Sequence, residues 1–122
     1  MSRIVLWVSD LNHKADFYSA LLAVPISSGG PEFAEVSDGQ NSALIHLLPE
    51  QYRTTSNAGE VAEVREEAAI KPVFMVSDID GAQSRVEKYG VRFGAEKNVY
   101  GQIAYLDCID PEGNVIQLSQ HI

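Results

Sequence analysis

The sequence has very little cysteine. Cys108 is the single cysteine, so no disulfide can form within the chain. It lies in the alternating stretch IAYLDCID, with no second thiol and no histidine motif nearby. We therefore interpret Cys108 as a reduced thiol in the core of a cytoplasmic protein rather than as a nucleophile.

Long hydrophobic runs and an excess of basic residues are also missing. The apolar runs are far shorter than the roughly 20 residues that cross a bilayer, and Met1 leads directly into a strand pattern. We therefore expect neither a transmembrane segment nor a signal peptide. Lys and Arg number 9 against 17 Asp and Glu, which gives a net charge of −8. This charge opposes binding to nucleic acid or to an anionic membrane, so we expect neither as a partner.

The chain contains an internal repeat. Its 122 residues, 45% hydrophobic and 21% charged, fit one compact domain. Within it, IVLWVSDLNHKADFYSALLA (4–23) aligns with PVFMVSDIDGAQSRVEKYGV (72–91), so that Val5 matches Val73 and Asp10 matches Asp78. Each copy has a short apolar run, then Ser-Asp, then a helical pattern. The predicted buried helix positions are Leu11, Phe17, Leu21 and Leu22 in the first copy and Ile79, Ala82, Val86 and Tyr89 in the second.

Strand patterns separated by turn residues follow each helix. The first half contains FAEVSDG and SALIHLLP, and the second contains VRFGAE, GQIAYLDCID and NVIQLSQ, with SDGQN and DPEGN as turns. Aligning the last strands sets His46 opposite Gln117. The pattern predicts an α+β fold of two βαβββ modules, residues 1–50 and 70–122. Residues 51–69 are predicted to form a polar linker with a short helical tail at 60–69.

These features together resemble a known family. The doubled βαβββ unit, the VSD that closes each first strand and the terminal DPEGNVIQL are similar to the vicinal-oxygen-chelate superfamily, which includes glyoxalase I, extradiol dioxygenases and bleomycin-resistance proteins. The resemblance covers residues 3–120. It implies that each module curls into a half-barrel, so that paired modules form curved mixed sheets around a cleft that holds a small molecule.

The resemblance also implies four metal-ligand positions, one at the start of the first strand and one in the last strand of each module. In this sequence those positions hold Arg3, His46, Lys71 and Gln117. Arginine and lysine are cations without lone pairs to donate, so two of the four positions repel a metal ion. We therefore expect no metal and no other cofactor, and we interpret Gln117 as a hydrogen-bonding group.

Eight residues are candidate ligand contacts. The four implied positions are joined by aromatic and acidic residues on the strands, with Glu35 and Tyr105 at matching places in the two halves: Arg3, Trp7, Glu35, His46, Lys71, Phe74, Tyr105 and Gln117. Each has a structural alternative. A strand aromatic is more often part of the core than a stacking wall for a ligand. The alternative for His46 is a place in the core or cleft wall, and the alternative for the two cations is that of solvated edge charges.

Two classes of function remain. The first is a metal-free small-molecule binder similar to the bleomycin-resistance proteins, and hence a candidate for antibiotic resistance. The second is a metal-dependent enzyme of the glyoxalase or dioxygenase type. A third, weaker alternative is a metal-independent enzyme in which a cation and His46 stabilise an enolate. We favour the binder. The acidic surface suits a cationic ligand, whereas inward-pointing Arg3 and Lys71 would favour an anionic or oxygen-rich one. The sequence therefore does not identify the ligand.

A homodimer is the expected assembly. A half-barrel of few strands leaves apolar surface and strand edges that a second copy can cover. The linker is long enough for the modules to pair either within one chain or by exchange between two chains.

Overall fold

The chain folds into two compact units. The structure is a computed structural model that describes residues 2–53, 64–65 and 68–122. The first unit is Met1–Glu60 and the second is Val61–Ile122. Most of the predicted linker, including most of its helical tail at 60–69, lies outside the described residues.

The first unit is a mixed four-stranded sheet with one helix against it. The strand order is β1-β4-β3-β2, with β1 parallel to β4 and the other pairs antiparallel. A short 3-10 helix, Glu50–Tyr52, follows the last strand. The elements are β1 Ile4–Val8, α1 Leu11–Leu22, β2 Ile26–Gly29, β3 Phe33–Ser37 and β4 Ser42–Leu47.

The second unit repeats this plan with one more strand. Its strand order is β5-β9-β8-β6, with β7 also paired to β8, and β5 is parallel to β9. A 3-10 turn, Glu87–Tyr89, extends the helix and stops at Gly90, whose φ of 67° suits glycine. The elements are β5 Val73–Met75, α2 Ile79–Val86, β6 Arg92–Phe93, β7 Asn98–Tyr100, β8 Ile103–Ile109 and β9 Val115–His121.

Alternating burial along the strands defines the core of each unit. In the first unit, one face of the sheet is buried together with the inner side of α1, through Leu6, Val8, Phe17, Tyr18, Leu21, Ala34, Val36, Ala43 and Ile45. In the second, the same arrangement buries Phe74, Ile79, Ala82, Val86, Leu106, Cys108, Ile116 and Leu118. The opposite face of each sheet carries the exposed and half-buried side chains.

The α+β prediction is confirmed, and most of the predicted helix faces are buried. Leu11 and Tyr89 differ, since both are only partly buried. The pattern did not indicate β2, because ISSG has no apolar alternation and all four residues are exposed. It also missed β7, which lies on the sheet edge and is exposed throughout.

The DPEGN motif builds a buried turn between β8 and β9. The Oδ1 atom of Asp110 accepts hydrogen bonds from the backbone N–H groups of Glu112 (2.9 Å) and Asn114 (2.8 Å), and its Oδ2 accepts one from Asn114 Nδ2 (3.1 Å). Asp110 is 3% exposed and Glu112 is 4% exposed. Arg65 contacts this turn, since its N–H donates to the Gly113 carbonyl and its guanidinium lies 3.3 Å from Glu112. The motif therefore has a structural role.

The SDGQN turn between β3 and β4 repeats this arrangement with one residue fewer. The Oδ1 atom of Asp38 accepts from the N–H groups of Gln40 and Asn41, and its Oδ2 accepts from Asn41 Nδ2 at 2.9 Å. Partial burial raises the pKa of Asp38, but the hydrogen bonds from Asn41 and Gln40 outweigh burial and hold it below its ordinary value. We call these two turns the Asp clasps.

Candidate functional site

The candidate site residues lie mainly on the sheet faces that the helices do not cover. In the first unit this surface, which we call the first open face, is formed by alternate residues of β1, β3 and β4. The strand register arranges them in two rows, Val5–Leu44–Glu35 and Trp7–His46–Phe33. Trp7 is 49% exposed and Phe33 is 36% exposed. The first open face is therefore largely apolar, and it is accessible in both rows, since Val5 is 44% exposed as well.

His46 stacks against Trp7 in the second of these rows. Their ring centroids are 4.5 Å apart, and the rings are tilted by 46°. The His46 Nδ1 atom lies 2.9 Å from the Leu47 carbonyl oxygen. Because a carbonyl only accepts, Nδ1 carries the proton of this bond. In the neutral ring, Nε2 is then the acceptor, and among the described residues it has no hydrogen-bond partner.

Arg3 forms an ion pair at the margin of the first open face. Its Nη1 lies 2.6 Å from Glu35 Oε2, and the side chains are 54% and 28% exposed. The structure therefore brings these two candidates together as an ion pair in which each neutralises the charge of the other. Such an exposed pair adds little stability, and it removes the net positive charge that an anionic ligand would need.

The second unit carries a polar network on the equivalent surface, the second open face. Lys71 Nζ lies 2.9 Å from Asp107 Oδ2, and Gln117 Nε2 lies 3.4 Å from Asp107 Oδ1. Ser119 donates through its hydroxyl to Gln117 Oε1 at 3.3 Å. Both ends of the Gln117 amide are therefore in contact with polar partners. Asp107 and Ser119 were not among the predicted site residues, although Asp107 alternates with Tyr105 on β8 and Ser119 alternates with Gln117 on β9.

The register corrects two of the predicted equivalences. Val5 pairs with Leu44 and Val73 pairs with Gln117, so Leu44 is the counterpart of Gln117. His46, opposite Trp7, instead corresponds to Ser119, opposite Met75. The alignment of His46 with Gln117 was therefore wrong by two residues. Because side chains alternate along a strand, an error of two residues leaves a residue on the predicted face of the sheet but gives it different neighbours on the adjacent strands.

The predicted match of Glu35 with Tyr105 was wrong for the same reason. Glu35 pairs with Leu44, and Asp107 pairs with Gln117, so Glu35 corresponds to Asp107. Tyr105 pairs with Ser119 and is half-buried on the second open face.

Phe74 does not belong to the candidate site. It is 2% exposed and pairs in register with Leu118, which is fully buried. Both point to the helix-covered face of the second sheet, because their strand neighbours Val73 and Gln117 lie on the opposite one. The prediction that Phe74 contacts a ligand was wrong, and its ring is part of the core.

The residues at the implied metal positions do not fit a metal ion. Arg3 and Lys71 have no lone pair to donate, and each already holds a carboxylate of its own unit. In the last strands, the position of Gln117 is taken by Leu44 in the first unit, and that of His46 by Ser119 in the second. Within residues 2–53, 64–65 and 68–122, no group of three or more His, Cys, Asp and Glu could hold a metal ion.

Cys108 is a buried thiol in the core of the second unit. It is 1% exposed, and burial together with the nearby Asp110 and Asp107 carboxylates raises its pKa to about 12. The thiol is therefore protonated at neutral pH, which agrees with its interpretation as a core residue rather than a nucleophile.

In the part of the chain that the structure describes, no helix is long and apolar enough to span a membrane.

Solved structures of similar fold include two that are described as resistance proteins. A glyoxalase/bleomycin resistance protein from Albidiferax ferrireducens has a TM-score of 0.72 and 18% identity, covering 100% of this chain and 98% of that one. A fosfomycin resistance protein, FosX, from Listeria monocytogenes, complexed with Mn(II) and sulfate, has a TM-score of 0.69 and 17% identity, covering 100% and 90%. At this identity the likeness shows the fold. No curated protein matches the chain significantly.

The sequence profile of one family covers nearly the whole chain. The Glyoxalase/Bleomycin resistance protein/Dioxygenase superfamily matches residues 1–118. This match agrees with the repeat, the two mixed sheets and the fold likeness. The chain therefore belongs to the glyoxalase/bleomycin resistance protein/dioxygenase superfamily.

Proposed function

We propose that this protein binds a small molecule on its open sheet faces without metal chemistry. The observation that carries the proposal is the state of the two cations at the implied ligand positions. Arg3 is paired with Glu35 at 2.6 Å and Lys71 with Asp107 at 2.9 Å. A divalent ion beside either would meet a positive charge and would compete for a carboxylate that is already engaged.

The same ion pairs bear on the charge of the ligand. A free Arg3 or Lys71 would favour an anion, but each is neutralised within its own unit. The remaining charge of the chain is strongly acidic, at −8 overall. Long-range attraction therefore gives an anionic ligand no advantage, and a neutral or cationic molecule, including an antibiotic, suits the protein better.

Metal ions are expected not to stabilise the protein. With Mn²⁺, Ni²⁺, Zn²⁺ and Fe²⁺ added one at a time, we expect a thermal midpoint within about 1 °C of that with EDTA, because a ligand raises the midpoint only by binding the native state. In the same assay, a library of small molecules is expected to yield metal-independent hits. Elemental analysis with one bound metal per chain, or hits that disappear with EDTA, would support the metal-dependent enzyme that is the alternative.

We also propose a homodimer formed through the edge of the second sheet. Among the residues that the structure describes, strand β7 pairs with β8 alone, and its Val99 and Tyr100 are 64% and 82% exposed. An apolar, unpaired strand edge is a common place for association with another chain. Sedimentation at micromolar concentration is expected to show a dimer. Val99→Lys should shift it to monomer, while Val73→Lys, at another exposed valine, should not; a monomeric parent protein would contradict the proposal.

We also propose a cytoplasmic location, because a reducing environment keeps a lone thiol such as Cys108 reduced.

A further inference from the structure

The two open faces differ most at one row of side chains. In the first unit this row is Trp7–His46–Phe33, three ring side chains on three adjacent strands. The equivalent row of the second unit is Met75–Ser119–Tyr105, where a small hydroxyl replaces the central ring. The repeat thus supplies an internal comparison, in which the same scaffold carries an aromatic row in one unit and an interrupted row in the other.

The aromatic row has the size and exposure of a stacking surface. Adjacent strands lie about 4.8 Å apart, so three strands span roughly 10 Å, which matches a fused two-ring system. Trp7 remains 49% exposed even though His46 packs against it at 4.5 Å. A large ring left half in water in this way gains free energy when a flat partner covers it.

His46 adds a directional polar group at the centre of the row. The hydrogen bond from Nδ1 to the Leu47 carbonyl fixes the ring orientation and leaves Nε2 as the acceptor of the neutral ring. Around it, Val5, Trp7 and Leu44 are apolar, and Arg3 and Glu35 at the margin of the face are paired with each other. The polar group at the centre of this row is therefore the His46 ring, whose Nε2 atom accepts a hydrogen bond in the neutral form.

From this arrangement we propose that the first open face binds an uncharged, planar aromatic ligand that stacks on Trp7 and donates one N–H or O–H hydrogen bond to His46 Nε2. The inference rests on the proposed function and names the chemical class of its ligand. Trp7 supplies most of the contact area. His46 selects ligands with a donor, because burying its acceptor under a ligand without one would leave it unsatisfied.

The test uses indole and 1-methylindole, which differ in the single N–H donor. The sole tryptophan of the chain gives one indole N–H resonance in a ¹⁵N-labelled sample, so titration reports directly on Trp7. We expect indole to shift this resonance and to bind about tenfold more tightly than 1-methylindole. Calorimetry gives the affinities of the variants that lack the reporter.

Three substitutions separate stacking from hydrogen bonding. Trp7→Leu should weaken both probes by about tenfold or more, since it removes the stacking ring. His46→Phe keeps an aromatic ring but removes the acceptor, so indole and 1-methylindole should then bind equally. Tyr52→Leu removes another exposed aromatic of the first unit, 66% exposed and outside the face, and should leave both affinities unchanged.

The possible failures are distinguishable. If the two probes bind the parent protein equally, or if His46→Phe leaves the preference for indole intact, the role of His46 is wrong. If neither probe binds while other library molecules do so without metal, the ligand class is wrong and the proposed function stands. If Trp7→Leu instead dissociates a dimer and leaves probe binding unchanged, the face is a contact between copies. A requirement for metal in probe binding would overturn the proposed function itself.

Discussion

Asp110→Ala is expected to lower the free energy of unfolding by about 3 kcal/mol, measured by urea denaturation. Asp110 is 3% exposed, and its carboxylate accepts from Glu112 N–H, Asn114 N–H and Asn114 Nδ2. Alanine would leave these donors without an acceptor in a place that water reaches poorly. The loss of stability therefore comes from leaving buried donors without an acceptor, which is larger than the loss of one hydrogen bond that water can replace.

The other Asp clasp supplies the matched control. Asp38 makes the same kind of bonds in the first unit but is only half-buried, so water can replace the lost acceptor and Asp38→Ala should cost about 1 kcal/mol. Asp110→Asn should also cost less than Asp110→Ala, because its amide oxygen can still accept the two backbone bonds. Equal losses for Asp110→Ala and Asp38→Ala would contradict the assigned role of burial.

The control clasp also has a predicted dependence on pH. The pKa of Asp38 is lower in the folded state than in the unfolded state. The ionised carboxylate therefore stabilises the folded state fully above its unfolded-state pKa, and this stabilisation is lost as the pH falls through its folded-state pKa. The difference in stability between Asp38→Ala and the parent protein should therefore shrink on acidification.

Phe74→Ala is expected to cost about 3 to 5 kcal/mol of stability, whereas Trp7→Ala should cost about 1 kcal/mol or less. Both aromatics lie in the first strand of their unit, but Phe74 is 2% exposed and Trp7 is 49% exposed. Removing the buried ring leaves a cavity, while removing the exposed one returns surface to water. Urea midpoints of the two variants provide the comparison.

Substitutions at the two residues should affect ligand affinity in the opposite order, with the larger loss at Trp7. A ligand found by thermal shift should lose affinity with Trp7→Ala, whereas Phe74→Leu, which keeps the core filled, should retain it. A destabilisation by Trp7→Ala as large as that by Phe74→Ala would mean that the first open face is a second core.

The fold was predictable because its evidence is periodic and repeated. The helix face of Phe17 and Leu21 and the alternating strand IAYLDCID follow from the spacing of apolar residues, and the repeat fixed the order of elements. Strands β2 and β7 were not predicted, because backbone pairing at an exposed sheet edge requires no pattern of apolar residues. Their formation depends on the neighbouring strand.

The candidate site was predictable only in part. The first strands, IVLWV and VFM, are apolar throughout, so the sequence did not show that Trp7 is exposed and Phe74 is buried. The partners of Lys71 and Gln117 could not be found because Asp107 is distant from Lys71 in sequence, and its pairing depends on register. Turn lengths contribute to that register: Glu35 and its counterpart Asp107 are 72 positions apart, whereas Leu44 and Gln117, which follow the turns, are 73 apart because DPEGN is one residue longer than the equivalent turn.

In each unit the first strand pairs in parallel with the last, and this pairing sets the order in which the two sheets can fold during synthesis. Ile4 pairs with Ala43 and Phe74 with Leu118, so neither sheet is complete until its final strand has been made. The first unit has all its strands once residue 47 emerges from the ribosome, whereas the second must wait for residues 115–121, which lie between β5 and β8. A premature stop just before β9 would release a chain with a finished first unit and with β5 deprived of its partner strand. Such a product is a target for proteolytic quality control rather than a shortened working protein.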